Sequence, residues 1–163
     1  MKFARSPEPV VRPATELRIE RARPEHAAAF ADIAESAFHM PAASRPLLEL
    51  LVGLEGFVSF MSFAGETPAG IGSLFVADGV GWLGFGATKP EFRGRGGQAA
   101  VLAARLEAAY DLGCRLVVTE TGEAVPGDAQ HSYKNILKVG FRELYLRENF
   151  VGQTPRSDER GER

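Results

Sequence analysis

The sequence predicts a mixed α/β domain. It reads as a single, mostly antiparallel sheet flanked by helices, in the order βααβββαβαββ. Three observations carry this prediction. Helical and strand-like hydrophobic periods alternate along the chain. Three strand-like runs follow one another between residues 56 and 90 with only short turns between them, which calls for antiparallel hairpins. A glycine-rich segment then leads directly into a long helical stretch.

The bulk numbers set the frame. A chain of 163 residues suits one domain with its own core, and 45% apolar residues rule out a disordered chain. Nineteen basic residues stand against 21 acidic, a net charge of −2, which gives no electrostatic case for nucleic acid or for a membrane surface. The longest apolar stretch, Pro46 to Phe63, is interrupted by Glu49 and Glu55 and is too polar to span a bilayer. The N-terminal "MKFARSPEPVVRPAT" lacks the apolar run of a signal peptide, so a cytoplasmic location is the default expectation. The single cysteine, Cys114, follows a helix-ending glycine and reads as a small packing residue. Three histidines at no ligand spacing give no expectation of a metal.

The elements follow in order. Residues 1–14 are proline-rich and aperiodic, and 153–163 are polar; both read as flexible tails around a domain at 15–152. "LRIER" at 17–21 alternates as a first strand. Pro24 suits a helix start, and Ala27, Phe30, Ala34 and Phe38 form a core-facing stripe up to Pro41. A second helix is expected over 44–54, with Leu47, Leu48, Leu51 and Leu54 apolar. Strands at 56–65, 69–79 and 79–90 follow, the last weakened by Gly81, Gly84 and Gly86, which suggest a bulge or a close backbone approach. A helix over 98–112 would bury Ala99, Leu102, Ala103, Leu106, Ala109 and Tyr110. "RLVVTE" at 115–120 reads as a buried strand, 129–139 as a helix, and 141–151 as a final strand or hairpin.

"FRGRGGQAA" at 92–100 lies between a glycine-rich strand and a helix start. The first amides of a helix have no intrahelical partners, and the helix dipole adds partial positive charge. Glycines let such a backbone close on an anion, and Arg93 and Arg95 add charged donors. A phosphate cradle and a basic helix-capping turn both fit these residues. The segment has no GKS or GKT, and it lies too late in the chain for a dinucleotide fingerprint.

In this context "ATKPEFRGRGGQAAVLAARL" at 87–106, and "KPEFRGRG" within it, resemble the R/Q-x-x-G-x-G/A segment of the GCN5-related N-acetyltransferase superfamily. "LKVGF" at 137–141 is similar to that family's xKxGF ending, and the resemblance runs over about residues 16–151. It implies the acyl-CoA N-acyltransferase fold and transfer of an acetyl group from acetyl-CoA to an amine, with a homodimer as one assembly. It also implies that the donor's pantetheine arm lies beside Gly86, Ala87 and Thr88. The diphosphate would rest on the amides of Gly94, Arg95, Gly96, Gly97, Gln98 and Ala99, with Arg93 at the R/Q position. Ser132 and Asn135 would approach the arm. Gln98 departs from the family's Gly or Ala.

Catalysis needs a base to deprotonate the amine and an acid for the leaving thiolate. The family's usual acid, a tyrosine four residues before the GF glycine, is Ile136 here. Tyr133, one turn earlier, and Tyr145 are the substitute candidates. Glu120, at the end of the strand where relatives carry a carboxylate, is the candidate base. Glu123, His131 and His39 are others. Two rival readings stay open: a module of the same fold that holds acyl-CoA without turnover, and an unrelated phosphate-binding α/β domain.

Overall fold

The computed structural model describes residues 1–8, 10–123 and 131–150. Among the described residues the strands form one seven-stranded sheet. In chain order these are β1 (Lys2–Arg5), β2 (Arg18–Arg21), β3 (Phe57–Ala64), β4 (Thr67–Ala77), β5 (Val80–Thr88), β6 (Leu116–Glu120) and β7 (Arg142–Tyr145). Their order across the sheet is β2-β3-β4-β5-β6-β1-β7. Only β5 and β6 run parallel; the other pairs are antiparallel. Four helices lie on the sheet: α1 (Ala27–Phe38), α2 (Arg45–Leu50), α3 (Gly97–Asp111) and α4 (His131–Lys138). The mixed α/β class, mostly antiparallel, is as the sequence predicts.

Each face of the sheet has its own core. On one, α1 and α2 bring Phe30, Ile33, Ala34 and Leu48 onto Met61, Phe63 and Ile71. On the other, Leu102, Leu106 and Ala109 of α3 and Ile136 of α4 meet Phe3, Leu74, Leu83 and Val117. Helix α3 is buried nearly all round, and its run of alanines lets it press close to the strands. Tyr110, expected in its buried stripe, is exposed instead: it lies on the solvent side of a last turn whose buried residue is Ala109. Helix α2 is shorter than expected, a single packing turn on Leu48 and Leu51, with Leu47 outside.

The main correction concerns the N-terminal segment. It does not behave as a loose tail over residues 2–5. Strand β1 inserts between β6 and β7, pairing Phe3 with Thr119 on one side and with Glu143 on the other. Phe3 is fully buried in the core. Arg5, also buried, donates to the carbonyls of Ser6, Glu8 and Val139, the last just past the end of α4. Burial pushes its guanidinium below the usual arginine range. Further on, Arg12 forks onto Glu107 of α3, at 2.8 and 2.9 Å from Nε. The closing segment contributes one strand, β7, among the described residues, exposed on both faces. The expected tail at 153–163 and the stretch 124–130 lie outside the described residues. No helix among those described is long and apolar enough to cross a membrane.

Phe3→Ala tests this placement. A residue in a loose tail would tolerate the change to within about 0.5 kcal/mol. The buried ring predicts a loss of about 3–5 kcal/mol in denaturant unfolding.

Candidate active site

The site begins where two strands part. Parallel pairing of β5 with β6 ends at Leu83 and Thr119. There the Thr119 hydroxyl donates to the Leu83 carbonyl at 2.9 Å. Beyond that point β6 stays with β1, while β5 runs on through Gly84–Thr88 without β6. A cleft of about 640 Å³ opens in the gap. Strand β5 supplies Gly86, Ala87 and Thr88 to its wall, α4 supplies His131, Ser132, Tyr133 and Asn135, and Phe38 stands at the end of α1.

The start of α3 closes one end. Gly96 occupies the N-cap position with φ 77°, and no side chain caps the helix. A Cβ at Gly96 would lie 3.0 Å from the Ala14 carbonyl, so only glycine suits both the dihedral and the space. The first intrahelical bond runs from the Ala100 amide to Gly96 at 3.0 Å. The amides of Gly97, Gln98 and Ala99 therefore lack intrahelical acceptors, and all three residues line the cleft. Gly94 lies in open space with φ 77°. Thr15 braces the cradle from behind, its hydroxyl donating to the Arg95 carbonyl at 2.6 Å.

The two arginines differ in position. Arg93 lines the cleft, with Nε 3.4 Å from the Thr88 carbonyl. Arg95 does not; its guanidinium lies over the Phe92 ring, 5.4 Å from the centroid. Gln98 reaches across the cleft. Its Nε2 donates to the Ser132 hydroxyl at 3.0 Å, and its Oε1 accepts from Asn135 Nδ2 at 2.9 Å. Three residues singled out separately in the sequence thus form one polar tie between α3 and α4.

The candidate acid–base groups are dispersed. Tyr133 is in the cleft wall, with its ring edge-on to Phe3 at 5.2 Å and its hydroxyl donating to Glu143. That bond to a carboxylate holds the phenol above the usual tyrosine range. Ile136 is buried in the core. Glu120 is outside the main cleft, in an adjoining cavity of about 380 Å³ where it pairs with Lys2 and, at 3.6 Å, with Arg147. Thr121, Gly122 and Glu123 border both cavities. Glu123 and His131 line the main cleft, whereas Tyr145 is exposed on β7 and His39 ends α1 with φ 52°. Among the described residues no group of three His, Cys, Asp or Glu side chains is arranged to hold a metal.

No family model and no curated protein sequence matches this chain. Solved structures do. An aminoglycoside N-acetyltransferase in complex with CoA superposes with a TM-score of 0.69 over 89% of this chain and 100% of its own, at 18% identity. This chain has the acyl-CoA N-acyltransferase fold. An aminoglycoside acetyltransferase from an uncultured soil metagenomic sample, in complex with sisomicin, gives 0.67 at 15% identity, covering 84% of this chain and 97% of its own. A GCN5-related N-acetyltransferase from Kribbella flavida gives 0.64 at 18% identity over 86% of this chain, which spans about half, 52%, of that longer protein. The architecture expected from "KPEFRGRG" and the strands before it is thus the one observed.

Sequence reasoning overlooked Arg105 and Thr119, two side chains that bind strand carbonyls beside the parting. Arg105 sits on a helix of mostly small apolar residues, and nothing in its neighbours signals burial. Lys2, the partner of Glu120, fell in the segment read as a tail.

The Tyr133–Glu143 bond has a measurable consequence. Glu143→Gln removes the negative acceptor, so the Tyr133 phenol should ionise at lower pH than in the parent protein. Ultraviolet or NMR titration of that tyrosine reads the change directly.

Proposed function

We propose that this chain is an acyl-CoA-dependent N-acyltransferase, moving an acetyl group to a primary amine of a small molecule or peptide. One observation carries the reading: an uncapped row of helix amides and an unpaired strand edge face the same cleft. An acyl-CoA has an anionic diphosphate at one end and an amide-bearing arm toward the other, and the cleft offers a complement to each. The amides of Gly97, Gln98 and Ala99, the open Gly94 and the Arg93 guanidinium would hold the phosphates. The edge at Gly86, Ala87 and Thr88 would take the arm as a further strand would be taken, with Gln98, Ser132 and Asn135 as side-chain partners. Arg95 would contribute through its backbone rather than its charge.

When bound, acetyl-CoA supplies an acyl group activated as a thioester. Transfer forms a C–N bond and breaks the C–S bond; the amine gives up a proton and the departing thiolate takes one up. In the cleft wall, Glu123 and His131 can accept the amine's proton. Glu120 would act from the adjoining cavity, where it pairs with Lys2 and Arg147. Tyr133 faces the cleft as the candidate acid, although its bond to Glu143 opposes proton loss. The aminoglycoside complexes among the solved structures favour an amine acceptor. A non-catalytic acyl-CoA-binding domain is the second reading, favoured by the burial of Ile136 where the resemblance calls for a tyrosine.

Calorimetry with acetyl-CoA tests both readings, and thiol release over a panel of amines separates them. Gly94→Asp puts a negative charge into the cradle at a position with no atom within 4 Å, in a conformation that aspartate tolerates. Affinity for acetyl-CoA should fall by at least about tenfold while the fold is kept, on the order of one lost charge-assisted contact. Unchanged binding would move the phosphate site elsewhere.

A further inference from the structure

Arg105 is 5% exposed, and among the described residues no carboxylate pairs with it. Its side chain faces the sheet at one place, the irregularity in the β4–β5 ladder. Ile71 pairs with Ala87 and Ser73 with Gly84, so Gly72 alone stands opposite two residues, Phe85 and Gly86. This is a β-bulge, and Phe85 holds a left-handed conformation there with φ 53°, a strained state for an aromatic residue. A bulge interrupts the ladder and loosens its hydrogen bonding, so added donors there matter. Arg105 supplies them. Its Nη1 lies 3.1 Å from the Gly84 carbonyl and 3.3 Å from that of Ser73, with Nε 3.3 Å from Val101 in its own helix. The space exists because Gly72 has no side chain; a Cβ there would come within 2.8 Å of the guanidinium carbon. Burial pushes this guanidinium down to about 10, which leaves it charged at neutral pH.

The bulge is also where β5 meets the cleft, since Gly86, Ala87 and Thr88 form its wall. We propose that Arg105 is a positioning residue for acyl transfer. By bridging the Ser73 and Gly84 carbonyls it fixes the bulge at Phe85–Gly86, and with it the direction of the β5 amides at the cleft wall, which in the acyltransferase reading would meet the acyl carbonyl. The inference rests on the acyltransferase reading for its catalytic consequence, but its structural half does not. A preorganised amide is effective only if it is already aimed before the charge develops. Arg105 is not among the residues lining the cleft, so its effect passes through the strand.

The test uses Arg105→Met, which keeps length and loses every donor, and Arg105→Lys, which restores a charged donor. Amide NMR shifts of Phe85, Gly86 and Ala87 in the ligand-free protein, the Kd for coenzyme A, and kcat are measured for each. Arg105→Met is expected to move those three amides and to lower kcat by about 100-fold, the scale of one misdirected amide donor. Coenzyme A affinity should fall by no more than about tenfold, well short of the loss in kcat, because the diphosphate cradle at Gly94–Ala99 is separate while only the arm shares the β5 edge, and Arg105→Lys should recover part of kcat. Unmoved amides, or an unchanged kcat in folded protein, would overturn the proposal. So would a loss of coenzyme A affinity equal to the loss of kcat, which marks general structural damage. If Arg105→Met does not fold, Gly72→Ala displaces the guanidinium without removing it and is held to the same outcomes. If the parent protein turns over no amine, the acyltransferase reading fails by itself, and the amide shifts still decide whether Arg105 holds the bulge.

Discussion

Two parallel strands that stop pairing halfway impose the constraint on which this molecule depends. Backbone groups released from a ladder inside a protein must find other partners, at a cost of about 1–3 kcal/mol for each that does not. Around the parting of β5 from β6, side chains take up that role. Thr119 serves the Leu83 carbonyl on the β6 side. Arg105 serves Gly84 on the β4 side. The remaining edge of β5 is left facing the cleft, and the short side chains of α3 allow its first turn to arrive at the same opening. Strand edge and helix start thus meet at the place where regular pairing stops.

The cleft is crossed as well as lined. Gln98 satisfies Ser132 and Asn135 together, so the two walls are joined by a primary amide of the same chemistry as a peptide or pantetheine amide. A glycine or alanine at that position would leave those two groups to solvent or ligand. The substitution therefore exchanges open space for a fixed distance between α3 and α4. On the far side, Glu120 is tied to β1 through Lys2, which links the charge state of one cavity to the seating of a strand.

Much of this was legible in the sequence, for identifiable reasons. Phe30 and Ala34, or Leu102 and Leu106, repeat at helical spacing and bury as that spacing requires, while Phe38, expected on the same stripe, is exposed at the end of α1. The glycines of β5 announced an irregular strand, and the bulge lies among them. The cradle could be read because its chemistry is local, contained within a few consecutive amides. What escaped was non-local. Strand β1 is four residues long, too short to show a period, and its partners are Val117–Glu120 and Arg142–Tyr145. Arg105 is a residue type that normally stays in water, and only the space over Gly72 shows why it does not. Glu120 and Tyr133 stand out as candidate base and acid, but their partners, Lys2 and Glu143, are set by the register of β1 and β7.

That register also orders events in time. Residues 2–5 cannot be paired until residues 117–120 and 142–145 have been made, and among the described residues β7 has no strand neighbour except β1. Loop closure over such a separation is slow, and contacts of this kind form late in folding. On the ribosome β1 waits for partners far along the chain, and Phe3 has no core to enter until they arrive. The part of the sheet beyond β6 is thus completed by the strand pairings most distant along the described chain.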